Sequence, residues 1–302
     1  MTIKNISKYI AYLTNCGNHT STRAMLASTS TSLPLGGLGW AFGLLLFVLT
    51  SCEKEIDMDY HQVEPLYVAE ATITQEGTNV RLTTTQDMTD NSRNTHNVTG
   101  ATIVLSAEGE VLDTLRYDKN GNYKSDETGW EGITYTIDIY IDGHHFSSSS
   151  TMQTPPVINS FRFVWKDVLT ERILFADLKL QDEPGRSNYY FMHIYRNRVG
   201  YRWAVMRDET NPGGELQQLF SCTTERNLNK DDDDAIRDGN RIHLEVRAID
   251  RPAYDYLYSM QVMEDSGTNP VQNFSGGCLG YFSAYYVETL DTVFYRADVE
   301  EE

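Results

Sequence analysis

The densest run of ionisable groups in the chain is Asp231-Asp232-Asp233-Asp234. Carboxylates are the right hard oxygen ligands for calcium, but an EF-type loop also needs a glycine at its middle and a glutamate at its end. Neither falls at that spacing, so the run reads as a solvated acidic turn. His144-His145 is an adjacent pair, while His61, His96, His193 and His243 are scattered. Zinc sites usually draw two closely spaced ligands from one helix or knuckle, so no metal is expected. Gly276-Gly277-Cys278-Leu279-Gly280 resembles a phosphate cradle only superficially. A dinucleotide fingerprint opens a helix, whereas here the pattern that follows is a strand, and a tight turn is the better reading. There is no Gly-x-Ser-x-Gly elbow to expose a nucleophilic serine. A glycosidase pair among the 43 acidic residues is not selected by sequence. No catalytic residue and no cofactor are therefore expected, and the chain reads as non-enzymatic.

Two side-chain types remain that bind without reacting. Nineteen tyrosines, with Trp165 and Trp203, supply aromatic surface for stacking on a glycan or anchoring a protein interface. Aromatics in strands are mostly core; Tyr201, Trp203, Tyr285 and Tyr286 are the ones expected at the surface. Of four cysteines, Cys16 and Cys52 precede the body and Cys222 and Cys278 lie within it. In an oxidising compartment these two either bridge or stay as thiols, and spacing leaves both open.

Cys52 carries the sharpest chemistry. It ends Leu49-Thr50-Ser51-Cys52, directly after the apolar run Leu38 to Leu49. That run is about a dozen residues, too short for a membrane span of roughly 20, and it fits a signal-peptide core. Cleavage between Ser51 and Cys52 would leave Cys52 as the first mature residue, bearing diacylglycerol and an N-acyl chain (palmitate or similar), enough chains for stable anchoring. Residues 1–51 are then a lipoprotein signal peptide and 52–64 an acidic tether. The formal charge of -18 becomes more negative once Lys4, Lys8 and Arg23 are removed. An acidic body repels phosphates, which excludes nucleic acid as a direct partner.

The elements that must position these residues read as strands. Leu66 to Ile73, Asn79 to Thr85, Ala101 to Ser106, Val111 to Leu115 and Ile133 to Ile141 alternate with period two. Glu108-Gly109, Asn120-Gly121 and Asp142-Gly143 mark hairpin turns. Six or seven short strands without a helix predict an immunoglobulin-like, regulatory-type β-sandwich over 65–153, with Asp87 to Thr99 as a polar loop. Ser147 to Thr151 and Pro155-Pro156 mark its end as a solvated, stiff connector. A second β-rich domain is expected over 157–298. Its strands are Ile158 to Trp165, Arg172 to Leu180, Tyr189 to Arg196, Tyr201 to Met206, Asn240 to Ile249, Leu279 to Val287 and Thr292 to Arg296. One docked helix starts at Asp250-Arg251-Pro252, ends at Gly267, and sets Tyr254, Leu257, Tyr258, Gln261 and Val262 on one face.

The Tyr-rich helix (Tyr254-Asp255-Tyr256-Leu257-Tyr258) and the block Asn269-Pro270-Val271-Gln272-Asn273-Phe274-Ser275-Gly276-Gly277-Cys278-Leu279-Gly280-Tyr281-Phe282 resemble the closing block of an uncharacterised, domain-of-unknown-function family of Bacteroidetes outer-membrane lipoproteins. The charged start Glu53-Lys54-Glu55 resembles the export tag that sends such lipoproteins to the cell surface. The resemblance implies a surface-exposed accessory protein beside a TonB-dependent transporter. Its partners would be the membrane through the lipid, an outer-membrane transporter, and a small ligand or glycan. It transfers no catalytic residue. A glycan-acting hydrolase and a structural or adhesive surface module are the alternatives.

Overall fold

Period-two alternation turns one row of each strand inward, and here it builds two sandwiches. The structure, a computed structural model, describes residues 64–86, 96–182, 185, 187–208, 214–228, 234–266 and 270–301. The leader, Ser51, Cys52, Asp231 to Asp233 and Gly267 lie outside the described residues, as does most of the polar loop beginning at Asp87. Glu64–Glu302 form one compact unit.

The first sandwich contains eight consecutive strands: β1 (Tyr67–Thr74), β2 (Gly77–Thr84), β3 (Thr102–Ala107), β4 (Glu110–Thr114), β5 (Arg116–Lys119), β6 (Asn122–Ser125), β7 (Thr134–Ile141) and β8 (His144–Thr151). Tyr135, Ile137, Ile139 and Ile141 of β7 point inward onto Ala69, Ala71, Ile73, Val80 and Leu82, and all are buried. The three expected turns are present, with left-handed backbone at both central residues of each. That geometry matches the twist of the flanking strands. The sheets run β4-β3-β7-β8 and β15-β1-β2-β6-β5.

β15 (Leu279–Ala284) comes from the far end of the sequence. It pairs in parallel with β1, Val68 opposite Leu279 through Ile73 opposite Ala284. The expected domain over 157–298 is therefore corrected: Phe274, Cys278, Phe282 and Ala284 are buried in the first sandwich's core. The strand expected over Leu279 to Val287 breaks at Tyr285-Tyr286, and its two parts join different sandwiches. Ser147 to Thr151 is also corrected, from connector to the second half of β8. Ser148 and Ser150 are buried because their small side chains let the returning segment lie against them.

The second sandwich pairs sheet β13-β10-β9-β17 with sheet β12-β11-β14-β16. Its strands are β9 (Val157–Val168), β10 (Glu171–Gln181), β11 (Tyr189–Arg196), β12 (Val199–Arg207), β13 (Glu215–Thr224), β14 (Arg241–Ile249), β16 (Val287–Val293) and the short β17 (Glu300–Glu301). Leu174, Ala176, Leu178 and Leu180 of β10 meet Met192, Ile194, Leu244 and Val246 across the core. The expected strand Thr292 to Arg296 ends at Val293, and a 3-10 turn, Arg296–Asp298, leads into β17.

One four-residue helix, α1 (Glu225–Leu228), follows β13, and α2 (Arg251–Ser266) follows β14. Asp250 caps α2: Ala253 N–H donates to its Oδ1 at 3.1 Å. The other carboxylate oxygen accepts from Thr151 N–H at 3.0 Å, which ties the helix start to the end of β8. The buried face of α2 is Ala253, Tyr254 and Leu257, whereas Tyr258, Gln261 and Val262 are exposed. The helix is rotated from the expected face because it is gripped from two sides. Tyr254 lies 5.1 Å from the Tyr189 ring of the second sandwich, and Tyr256 stacks at 5.2 Å on Tyr281, which follows Gly280 in β15.

Candidate functional site

The closing block locks the first sandwich, and each of its odd residues has a reason. Gly280 has φ of +99°, and a Cβ there would come within 1.9 Å of the Ala69 carbonyl oxygen, so only glycine admits β15 against β1. At Gly276 a Cβ would meet the His145 carbonyl at 2.5 Å. β15 leaves one edge without a strand partner, and side chains fill the gap. Phe282 N–H donates to Asn273 Oδ1 at 2.8 Å, and Ala284 N–H to Ser150 Oγ at 2.8 Å. Ser148 Oγ donates to the same Asn273 oxygen at 2.7 Å. The glycines are structural, as the turn reading expects; no phosphate cradle opens on a helix.

Where β14 leaves this seam, its outward row is charged. Arg247, Glu245 and His243 alternate with the core residues Val246 and Leu244, opposite the β11 row Phe191, His193 and Tyr195. The Arg247 guanidinium lies 4.9 Å from the Phe191 ring and 5.0 Å from the Tyr285 ring. Its Nη2 donates to Glu245 Oε2 at 2.6 Å. A cation between two ring faces with its counter-ion beside it is an arrangement that tolerates burial. Burial works to raise the Glu245 carboxyl, and the Arg247 guanidinium overcomes it, leaving the group below its ordinary value. Tyr195 Oη reaches the same carboxylate at 3.4 Å. Burial, helped by Arg247, pushes His193 down to about 3, so its imidazole is neutral at any physiological pH.

This strip is graded along β14. Arg247 is almost covered, Glu245 less so, and His243 is a third exposed, with its Nδ1 at 2.9 Å from the solvent-facing Asp291. Trp203 of β12, opposite His193, and Tyr195 are half-buried beside it. The open end therefore offers two rings, an imidazole and carboxylates, a set suited to hydrogen-bonding and stacking on a polar ligand or a partner's side chains. At the covered end, a shallow cleft of about 160 Å³ opens behind the connector, lined by Gln153, Pro155, Pro156, Asp182, Asn188 and Tyr189 among others. Among its described lining residues Asp182 is the one acidic side chain, and its Oδ1 accepts from Asn188 Nδ2 at 3.0 Å. No group of three metal-ligating side chains occurs among the described residues.

The expected binding aromatics are mostly elsewhere. Tyr201 is buried; its hydroxyl donates to the Cys222 carbonyl at 2.8 Å, and the guanidinium groups of Arg196 and Arg202 flank its ring at 4.8 and 4.2 Å. Tyr285 is buried against Arg247, and Tyr286 is half-buried against the first core. Only Trp203 joins the strip. Cys222 and Cys278 are both free thiols, which settles the open alternative against the bridge: Cys222 lies in the second core and Cys278 in the first. Burial pushes them to about 11 and about 12, so neither is a ready thiolate. Asp234, last of the acidic run, is more than half exposed, in keeping with a solvated turn, and is bound at 2.6 Å by Arg202. His145 pairs with Asp138 at 2.8 Å and stacks on Tyr140 at 4.5 Å. The strip residues His193, Glu245 and Arg247 were not singled out in sequence. Their signal is β11, which is aromatic or apolar at every position from Tyr189 to Tyr195 except His193, as a strand covered on both faces must be.

The described residues form a mostly β fold of four sheets, the first sandwich closed by a strand that returns after α2. A family model matches residues 53–291, so the chain belongs to the family described as a domain of unknown function (DUF4249). No curated protein matches the chain.

Proposed function

We propose that this protein is a non-enzymatic binding component, lipid-anchored through Cys52 at the outer membrane and displayed at the cell surface beside a TonB-dependent transporter. The observation that carries the binding part is the graded strip on β11 and β14, in which Arg247 and Glu245 brace a partly open set of Tyr195, Trp203, His243 and Asp291. Such braced aromatic and polar groups recognise a ligand by position and need no reacting atom. One observation supports the anchored part: the family match starts at Glu53, the residue after the candidate lipidation site. A glycan-acting hydrolase would need two carboxyls about 5–10 Å apart across a cleft; among the described residues that line the cleft behind the connector, Asp182 is the one carboxylate.

The test is affinity capture of the tagged protein from detergent-solubilised membranes, with and without His243→Ala and Asp291→Ala. Recovery of an outer-membrane barrel that the double variant loses is the expected result. Recovery of no barrel counts against the transporter role, and a barrel retained by the variant counts against the strip.

A further inference from the structure

We infer that the β7–β8 hairpin end of the first sandwich faces the membrane, with Tyr140, His144 and Leu66 at the level of the lipid headgroups and the second sandwich held away from it. This rests on the anchored reading above, and it adds a contact surface which that reading does not contain.

The chain enters and leaves the first sandwich at opposite ends. Entry is at Leu66, whose carbonyl accepts from Thr85 N–H at 2.8 Å, next to Tyr67 opposite Thr84. At that same end Tyr67 Oη donates to Asp142 Oδ2 at 2.7 Å, so the hairpin tip sits beside the entry point. Exit is at the other end, where Thr151 pairs with Thr134 and binds the cap of α2. Trp130 lies at that far end, since Ile133 N–H donates to its carbonyl and Gly129 N–H to Thr74 O, at the close of β1. The eight residues of β1 separate the two ends by about 25 Å. From Cys52 to Glu64 the tether reaches at most roughly 40 Å. A lipid on Cys52 thus holds the body through its entry end, the end nearer the anchor along the chain.

The side chains at the tip suit that position. Leu66 is 43 % exposed and Tyr140 46 %. His144 is exposed beside Phe146, their rings 5.8 Å apart and nearly parallel. Tyrosine rings, apolar in body and polar at the tip, favour the membrane–water interface. At the tip Asp142 accepts from Tyr67 and Asp138 pairs with His145, while Glu64 beside Leu66 is exposed, so this end suits a zwitterionic headgroup such as phosphatidylcholine rather than an anionic one.

The experiment places a fluorophore on the acylated protein at Tyr140→Cys or, at the far end, Trp130→Cys. Cys222 and Cys278 are buried and do not compete for label. In phosphatidylcholine vesicles carrying a headgroup nitroxide, quenching at position 140 should exceed that at 130 by about threefold or more, given the ~25 Å between them. His144→Cys repeats the measurement if Tyr140→Cys does not fold. Equal quenching, or stronger quenching at 130, in protein shown by mass to carry acyl chains on Cys52 overturns this inference alone. Absence of the acyl mass overturns the anchoring and the inference together.

Discussion

The two sandwiches solve the same closure problem differently. The second is built on the hairpins β9-β10 and β11-β12, flanked by β13, β14 and β16, and carries at its rim the short β17, clamped by ion pairs of Arg162 with Glu300 and Arg172 with Glu301. The first leaves one edge of β1 open until β15 arrives from beyond β14 and α2. In the second, the polar groups at the seam are charged and stacked between rings; in the first lock they are neutral side chains, Asn273, Ser148 and Ser150, filling single backbone positions. Closure by a distant strand demands shape at a few points, while a rim strand held by exposed ion pairs tolerates variation.

The sharpest way to break that contrast is Gly280→Val. No rotamer relieves a Cβ at 1.9 Å from backbone, so a loss of about 4 kcal/mol or more is expected, seen as collapse of the thermal transition. A variant that melts normally would mean that β15 does not pair with β1 as described.

Acid should act next, and with opposite sign on the two sandwiches. The folded state holds His193 neutral down to about 3 against an ordinary value of 6.5, so the unfolded chain binds more protons between those values. Its contribution is full above 6.5 and is lost as pH falls toward 3, by up to about 1.4 kcal/mol per pH unit. In the first sandwich, burial raises the Glu70 carboxyl despite Arg81, so its contribution is full at low pH and is lost as pH rises through its folded value. Fluorescence of Trp203, opposite His193 in the sheet, should therefore report loosening between pH 6.5 and 3. His193→Gln should flatten that dependence; an unchanged profile would remove His193 as its source.

The smallest effect is expected at the rim. Glu300→Gln with Glu301→Gln removes two ion pairs whose carboxylates are more than half exposed, and should cost less than about 1 kcal/mol in urea unfolding. A larger loss would show that the second sandwich also depends on its terminal strand.

Much of this was legible in the chain. Alternation located most long strands, and Glu108-Gly109, Asn120-Gly121 and Asp142-Gly143 located the hairpins, because these are local consequences of pleat and turn. The turn at Asn197-Arg198 was not legible, since it adopts positive φ at both residues without glycine. The Ser-rich half of β8 looked like connector because nothing local reveals that a strand far downstream will cover it. Likewise, nothing local reveals that part of the charged row of β14 is covered. Period two tells which residues share a side, and says nothing of what lies over them.

A sheet whose first strand waits for one near the C-terminus cannot finish while the polypeptide is still being made. Residues 67–151 therefore emerge from a ribosome or translocon one strand short and stay so until Leu279–Ala284 follow. Any cut before Leu279 would leave Ala69, Ala71 and Ile73 beside an open edge, an invitation to aggregation. The returning strand thus doubles as a check on length: only a chain that reaches Ala284 closes its first sandwich.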